Sequence, residues 1–208
     1  MTARRFLPLC AALLAACGGR AAPPAAGPAP APVVEPARAV APMDFGGQRV
    51  LVLPVQAAEG VAGRDAATAE VLFALGERDS RTQWVSPEQL RSALRRAPGY
   101  AADPGTLPDD AYQHHGERYI VDPLGGVVRR YSALTDARVV VIPRAVRWIA
   151  DAAGGGRVRV TAAVIDARNG RVVWYGEADG DPRPEADRAA VATAAAALAA
   201  RMLVARAP

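Results

Sequence analysis

Thiols are the first thing this chain is short of. Both cysteines, Cys10 and Cys17, fall at the very start of its 208 residues and none follows. From Gly18 onward there is therefore no disulfide, no thiolate nucleophile and no cysteine-based metal site, and stability has to come from a packed core. Histidine is limited to the adjacent pair His114 and His115. Lysine is absent and every one of the 25 basic side chains is arginine, which reads as a bias toward GC-rich codons. A strong excess of one charge is missing too. The formal balance of +4 falls to +2 once Arg4 and Arg5 are set aside, and basic and acidic residues are interspersed. That excludes the electrostatic footprint expected of a nucleic-acid binder.

Long apolar runs are also lacking. The longest candidate, Phe6 to Ala16, holds about eleven residues where a membrane-spanning helix needs about 20. Preceded by Arg4 and Arg5 and closed by the small residues Ala15 and Ala16, it has the charged, apolar and small-residue order of a secretory signal. Leu14-Ala15-Ala16-Cys17 resembles the lipobox of bacterial lipoproteins. The resemblance implies that residues 1–16 are removed and that Cys17 becomes the first mature residue, acylated on its sulfur and amine. Several acyl chains hold a protein firmly where one holds it marginally. Gly18 stands where Asp would retain the protein in the inner membrane of enteric bacteria. The analogy therefore places the anchor in the outer membrane, facing the periplasm.

Residues 17–43 are the lipidated Cys followed by Ala, Pro and Gly with isolated Val, Arg and Glu. Such a segment has too little apolar side chain for a core, and it reads as a disordered tether biased toward polyproline II. Fully extended at ~3.1 Å per residue, it would reach on the order of 80 Å. Residues 44–208 are long enough for one globular domain with a sizeable core.

Within that domain, Arg49–Val55 is a short β-branched run that fits a strand buried on both faces and ended by Pro54. Over Arg64–Glu77, the spacing of Ala66, Ala69, Leu72, Phe73 and Gly76 predicts a helix with these residues on one face. Gln83–Val85 is a brief strand. Ser86, Pro87 and Gln89 then mark a capped helix start, with Leu90, Ala93, Leu94 and Ala97 as the apolar stripe and Pro98-Gly99 as the stop. Residues 98–121 have no period and predict a long loop, of the kind that is often functional or mobile. Asp122-Pro123 is expected to cap a helix running to Leu134, weakened by Gly125 and Gly126 at roughly 1 kcal/mol each. Arg138–Ile149 is a strand with a bulge expected at Pro143. Gly154-Gly155-Gly156 turns the chain, Val158–Val164 alternates as a strand with one face partly wet, and Asn169-Gly170 predicts a tight hairpin turn into Arg171–Ala178. Glu185–Arg206 carries Val191, Ala195, Leu198 and Met202 on one helical stripe. The expected fold is a single three-layer α/β domain with a mixed sheet of about five strands. Its order is strand, helix, strand, helix, helix, three strands as an antiparallel meander, and a carboxy-terminal helix.

That order, and the string Ala163-Val164-Ile165-Asp166-Ala167-Arg168-Asn169-Gly170-Arg171-Val172-Val173-Trp174, resemble a group of bacterial envelope domains. The group comprises the amino-terminal domain of the translocation protein TolB, the penicillin-binding-protein activator LpoB and the periplasmic part of the curli secretion protein CsgG. The shared feature is a hairpin of apolar strand, Asp, a turn ending in Gly, and a second strand ending in Trp, with Ala137–Val141 at the place of the preceding strand. The resemblance implies this fold and carries over no catalytic residue. The chain has neither the extra amphipathic hairpins of a secretion pore nor following propeller repeats.

The candidate chemistry is sparse. His114 and His115 with Asp109, Asp110 and Glu117 could be imagined as a loop metal site, but zinc wants three or four ligands at workable spacing and there is no third His or any Cys. A solvated loop is the reading adopted, with no metal and no cofactor expected. No Gly-x-Ser-x-Gly elbow, His-Glu-x-x-His helix or phosphate loop occurs. Asp103, Asp109, Asp110 and Glu117 share the 98–121 loop and could serve a glycan hydrolase, which is the alternative function; such work needs one carboxyl of raised pKa in a cleft. Trp84, Trp148 and Trp174 lie on predicted strands, where packing is the default role. The leading expectation is a non-enzymatic, lipid-anchored envelope protein that binds a protein partner, with no nucleic acid and no evident small-molecule substrate. In Cys17→Ser the acyl mass and the sedimentation with membranes are both expected to disappear; a variant of unchanged mass that still sediments refutes the anchor.

Overall fold

The computed structural model describes residues 41–107, 119–152 and 154–205. The signal, Cys17, the tether up to residue 40, and Asp109, Asp110, His114, His115 and Glu117 of the long loop all lie outside the described residues.

The sheet is built around β4 (Val139–Ala150), which is paired along both edges. On one side β1 (Arg49–Val52) and β2 (Ala57–Glu59) both run parallel to it, Val50 to Val52 against Val139 to Val141 and Ala57 to Glu59 against Ala145 to Arg147. The two strands are one path along β4, and the hydrogen bonds Leu53 N to Val141 O (2.9 Å) and Gln56 N to Pro143 O (3.0 Å) span the gap between them. The Val55 N–H, next after Leu53 on that side, goes instead to the Thr68 hydroxyl at 2.9 Å, so the ladder breaks there. β3 (Gln83–Val85) adds a parallel edge beyond β1, and β5 (Gly156–Asp166) and β6 (Arg171–Asp179) add the antiparallel meander on the other side. The order is β3-β1-β4-β5-β6, with β2 on β4. The sheet thus has six strands where about five were expected. The extra one, Ala-Ala-Glu, has neither β-branched residues nor an apolar alternation to announce it.

The bulge falls where Pro143 predicted it, between Pro143 and Ala145. An inserted residue reverses the side-chain alternation beyond it. Val139 and Val141 before the bulge therefore share a face with Val146 and Trp148 after it, and Val158, Val160, Ala162 and Val164 of β5 complete that face. Two helices pack on it, α1 (Arg64–Arg78) and α4 (Arg188–Met202). The opposite face, with Leu51, Leu53, Val140, Ile142 and Ile165, is covered by α2 (Pro87–Arg96) and α3 (Leu124–Thr135). This is the expected three-layer α/β arrangement. Ahead of β1, Met43 pairs in parallel with Leu203, just past α4, through Met43 N to Met202 O (2.7 Å) and Val204 N to Met43 O (3.0 Å).

Four local expectations need correction. The buried residues of α1 are Ala67, Thr68, Glu70, Val71, Ala74 and Leu75, so the Ala66, Ala69, Phe73 and Gly76 stripe is not its inner face. Two polar residues sit on the true inner face and hide it from an apolar count. Thr68 donates to Arg64 O (2.6 Å) and accepts from Val55 N (2.9 Å), while Glu70 is held by Arg188 (2.5 Å). At α3 the N-cap is Pro123, not Asp122. Asp122 instead accepts the Gly126 N–H at 2.7 Å, and a Cβ on Gly125 or Gly126 would come within 3.2–3.3 Å of that carboxylate. The two glycines make room for it. The β5–β6 connection is a four-residue turn, Ala167–Gly170, rather than a two-residue one. Only Gly170 takes a left-handed conformation (φ +71°), and the register slips by one residue at Val164/Ile165. Finally, α4 begins at Arg188, where the Asp187 carboxylate caps the Ala190 N–H at 2.7 Å, and ends at Met202.

The helix signals of α2 and α4 hold. Ser86 and Gln89 form a reciprocal capping box on α2, at 3.2 and 2.7 Å. Val191, Ala195, Leu198 and Met202 are all buried against the sheet. Leu198 is fully buried in this alanine-rich layer, where few neighbours are long enough to fill a void. Leu198→Ala is therefore expected to cost about 2–5 kcal/mol of unfolding free energy, read as a lower denaturant midpoint at unchanged slope.

Candidate functional site

α2 and α3 cover only part of their side of the sheet. Beyond the bulge, the same face of β4, β5 and β6 presents Ala145, Arg147 and Ile149, then Arg157, Arg159 and Thr161, then Tyr175, Glu177 and Asp179, all exposed or half-buried. The chain folds this way because each strand alternates. Valines at 146, 158 and 160 go into the core under α1 and α4, and the residues between them are sent outward.

One row crosses four strands in register: Glu59, Arg147, Arg159, Asp179. The two arginines stand directly opposite one another, which is unfavourable for like charges. Each is drawn outward by a carboxylate on the neighbouring strand. Arg147 Nε lies 3.0 Å from Glu59, and Arg159 forms a two-pronged bond to Asp179 at 2.6 and 2.8 Å with Glu177 at 3.4 Å. The Arg159 hydrogen bond, aided by the charges of Arg159, Arg157 and Arg201, holds the Asp179 carboxyl below the usual range, while burial opposes the shift. The same bond pushes the guanidinium of Arg159 upward. A face with this row of paired charges, and with Arg157, Ile149 and Tyr175 beside it, can recognise a partner by shape and polarity. The other two carboxyls with a resolved shift move down as well. Asp166 is raised by its burial but lowered further by hydrogen bonds from Arg138 and the Arg168 N–H, and Glu88 is lowered by a hydrogen bond from Arg95.

The first part of the 98–121 loop is pinned rather than mobile. Tyr131 donates its hydroxyl to Ala102 O (2.8 Å), Gln56 reaches Pro104 O (3.0 Å) and accepts from Leu107 N (3.2 Å), and Arg64 donates to Gly105 O (2.9 Å). Burial pushes the Tyr131 phenol well above its ordinary value, and the Asp103 charge adds to this. The Asp103 carboxylate itself accepts the Gly105 N–H at 2.7 Å, a turn-forming bond. It borders an open depression of about 350 Å³ together with Arg91 and Arg95, and among the described residues no second carboxylate lines that space. The structure therefore does not bring Asp103 together with another acid among the described residues, and no group of three His, Cys, Asp or Glu there could hold a metal ion.

The tryptophans pack. Trp174 is buried in the core, Trp84 donates to Asp79 O (2.9 Å) and stands edge-on to Phe45 (6.4 Å), and Trp148 lies against the core under Gly60 and Gly156. A Cβ at Gly156 would come 2.7 Å from the Trp148 ring, which is why the strand opens on glycine. The cross-strand row was missed in the sequence because its partners are scattered from Glu59 to Asp179. The available signal was the Arg157-Val158-Arg159-Val160 alternation, which marks a wet face without naming what pairs with it.

No family model matches the chain, and no curated protein matches it. Among solved structures it is similar to the LpoB carboxy-terminal domain from Salmonella enterica (16% identity, TM-score 0.42, covering 67% of this chain and 86% of that one). It is also similar to a PelC dodecamer from Paraburkholderia phytofirmans (15%, 0.41, 78% and 93%) and to the lipoprotein GNA1162 from Neisseria meningitidis (13%, 0.36, 64% and 81%). Scores of this size leave function to be argued from the chain's own residues.

The ion-pair row has a measurable acid signature. Because the folded Asp179 pKa lies below its unfolded value, its contribution to stability is complete above the ordinary Asp range near pH 4. It is lost as the pH falls through the depressed value. Asp179→Asn is expected to lower stability at neutral pH and to flatten the dependence of unfolding free energy on pH below about 4; an unchanged acid limb would show that the pair is not coupled to folding.

Proposed function

We propose that this protein is a lipid-anchored, non-enzymatic component of the bacterial envelope that displays its α/β domain in the periplasm, from the outer membrane, to bind a protein partner. The observation that carries the reading is the string Leu14–Cys17 at the end of a signal-length apolar run, followed by a Pro/Ala-rich segment suited to a spacer. A domain held to a membrane by such a spacer is placed to meet other envelope components within its reach. Its carboxylates support binding over hydrolysis. Glu59, Glu177 and Asp179 are engaged by arginine and Asp103 by a backbone N–H, which is the chemistry of a fixed surface. No helix of the described residues is long and apolar enough to cross a membrane.

The test pairs two measurements on the full chain carrying a carboxy-terminal tag. Affinity capture from gently solubilised envelopes is expected to retain a defined protein above a mock control, and zymography on peptidoglycan is expected to show no cleared zone. Failure to retain any protein overturns the binding reading. Clearing that disappears when Asp109→Ala and Glu117→Ala are combined would replace it with a hydrolase acting through the 98–121 loop.

A further inference from the structure

The chain has a single asparagine, Asn169, and Gly170 follows it. In such a pair the amide nitrogen of the glycine can attack the side-chain carbonyl carbon and close a five-membered ring. Glycine has no Cβ to shield that nitrogen or restrict its approach. Asn169 is exposed in the β5–β6 turn, while Gly170 beside it is buried.

The folded turn treats the two reacting groups in opposite ways. The electrophile is poised, because the Arg171 N–H donates to Asn169 Oδ1 at 2.9 Å and would stabilise the charge that develops on that oxygen. The nucleophile is withheld. The Gly170 N–H donates to Asp166 O at 2.9 Å, so the nitrogen cannot shed its proton or swing toward the side chain without breaking that bond. Gly170 is also pinned through its carbonyl, which accepts the Ile120 N–H at 2.8 Å. The Ile120 side chain lies so close that a Cβ on Gly170 would meet its Cγ1 at 3.3 Å, and Tyr119 bridges to Arg171 beside it. The start of the turn is fixed as well, since the Asp166 carboxylate accepts from the Arg168 N–H and from Arg138, both at 3.0 Å.

We propose that Asn169 is a modification site gated by this turn: it converts to aspartate or isoaspartate through a cyclic imide with Gly170, and Ile120 is the latch that keeps the turn closed. The reaction runs when the turn opens locally. Gly170 N gives up its proton to solvent and bonds to Asn169 Cγ, while the bond from Cγ to the side-chain nitrogen breaks and that nitrogen, taking up a proton, leaves as ammonia. Water then opens the ring at one of its two carbonyls. One water is consumed and one ammonia released, with no change of oxidation state. Opening at Cγ gives aspartate. Opening at the Asn169 main-chain carbonyl gives isoaspartate, which adds one carbon to the backbone path of the turn. The Gly170 carbonyl then no longer sits where Ile120 meets it, and the end of the 98–121 loop loses its tie to the hairpin. The two backbone bonds on Gly170 predict conversion on the order of ten- to a hundredfold slower in the folded chain than in the unfolded one.

The full chain, purified in detergent and held in mildly alkaline buffer with or without urea, tests this. Mass spectrometry follows the exchange of the side-chain amide for a carboxyl, and an isoaspartate assay follows the second product. Conversion is expected at residue 169, to be absent in Asn169→Asp, and to be slowed in the folded chain by the factor that protects the Gly170 amide from hydrogen exchange. Ile120→Ala should speed both conversion and Gly170 exchange several-fold in the folded chain and neither in urea, with thermal melts checking that the variant folds. If that variant does not fold, the agreement between conversion and Gly170 exchange in the unaltered chain decides the matter. Equal rates with and without urea, no conversion in urea, or a slowing that does not match Gly170 protection overturns the gate. A folded Ile120→Ala that reacts and exchanges at the original rates overturns the latch.

Discussion

Everything in this domain hangs on the pairing of β4 along both of its edges. Its first half, Val139 to Ile142, is buried on both faces and is hydrogen-bonded to β1 on one side and β5 on the other. Removing that segment from the sheet would expose two helical layers at once, because Val139 and Val141 belong to the core under α1 and α4 while Val140 and Ile142 belong to the core under α2 and α3. Burial of this kind is worth about 1.5–3 kcal/mol for each large aliphatic side chain. The bulge near Pro143 then lets the same strand continue into a different environment, with one face in the core and the other wet.

How well the sequence could be read follows from that division. Where burial is two-sided or a helix end has a local cap, the residues announce the structure: RVLV, VVVI and the Ser86–Gln89 box were legible, as was the carboxy-terminal stripe through Leu198. The misreadings have particular causes. The inner face of α1 was hidden because Thr68 and Glu70 sit on it, each satisfied by a partner distant in sequence, Val55 and Arg188. β2 was missed because pairing with β4, not side-chain propensity, makes it a strand. Gly125 and Gly126 looked like weaknesses in a helix, and their reason is an approach by Asp122 that only the folded backbone reveals.

The candidate surfaces show the same limit. An alternation of Arg and Val signals a wet face, but the row Glu59, Arg147, Arg159, Asp179 exists only through three strand registers. Of the apolar stripe legible on α1, Phe73 lines an open groove between α1 and α4. The two surfaces also differ in kind. The charged row of the sheet face is paired within itself, so that face can stay in water at little cost. The groove instead leaves the ring of Phe73 exposed to water.

The backbone pairing of Met43 with Leu203 fixes where a pull applied ahead of Met43 would enter the domain. Tension transmitted along the segment that precedes Met43 falls first on the two hydrogen bonds linking Met43 to Met202 and Val204, and on the buried ring of Phe45. Only after those yield does it reach β1. The residues beyond α4 thus act as a clasp, and a pull that would otherwise peel β1 from the sheet is received at the periphery of the fold.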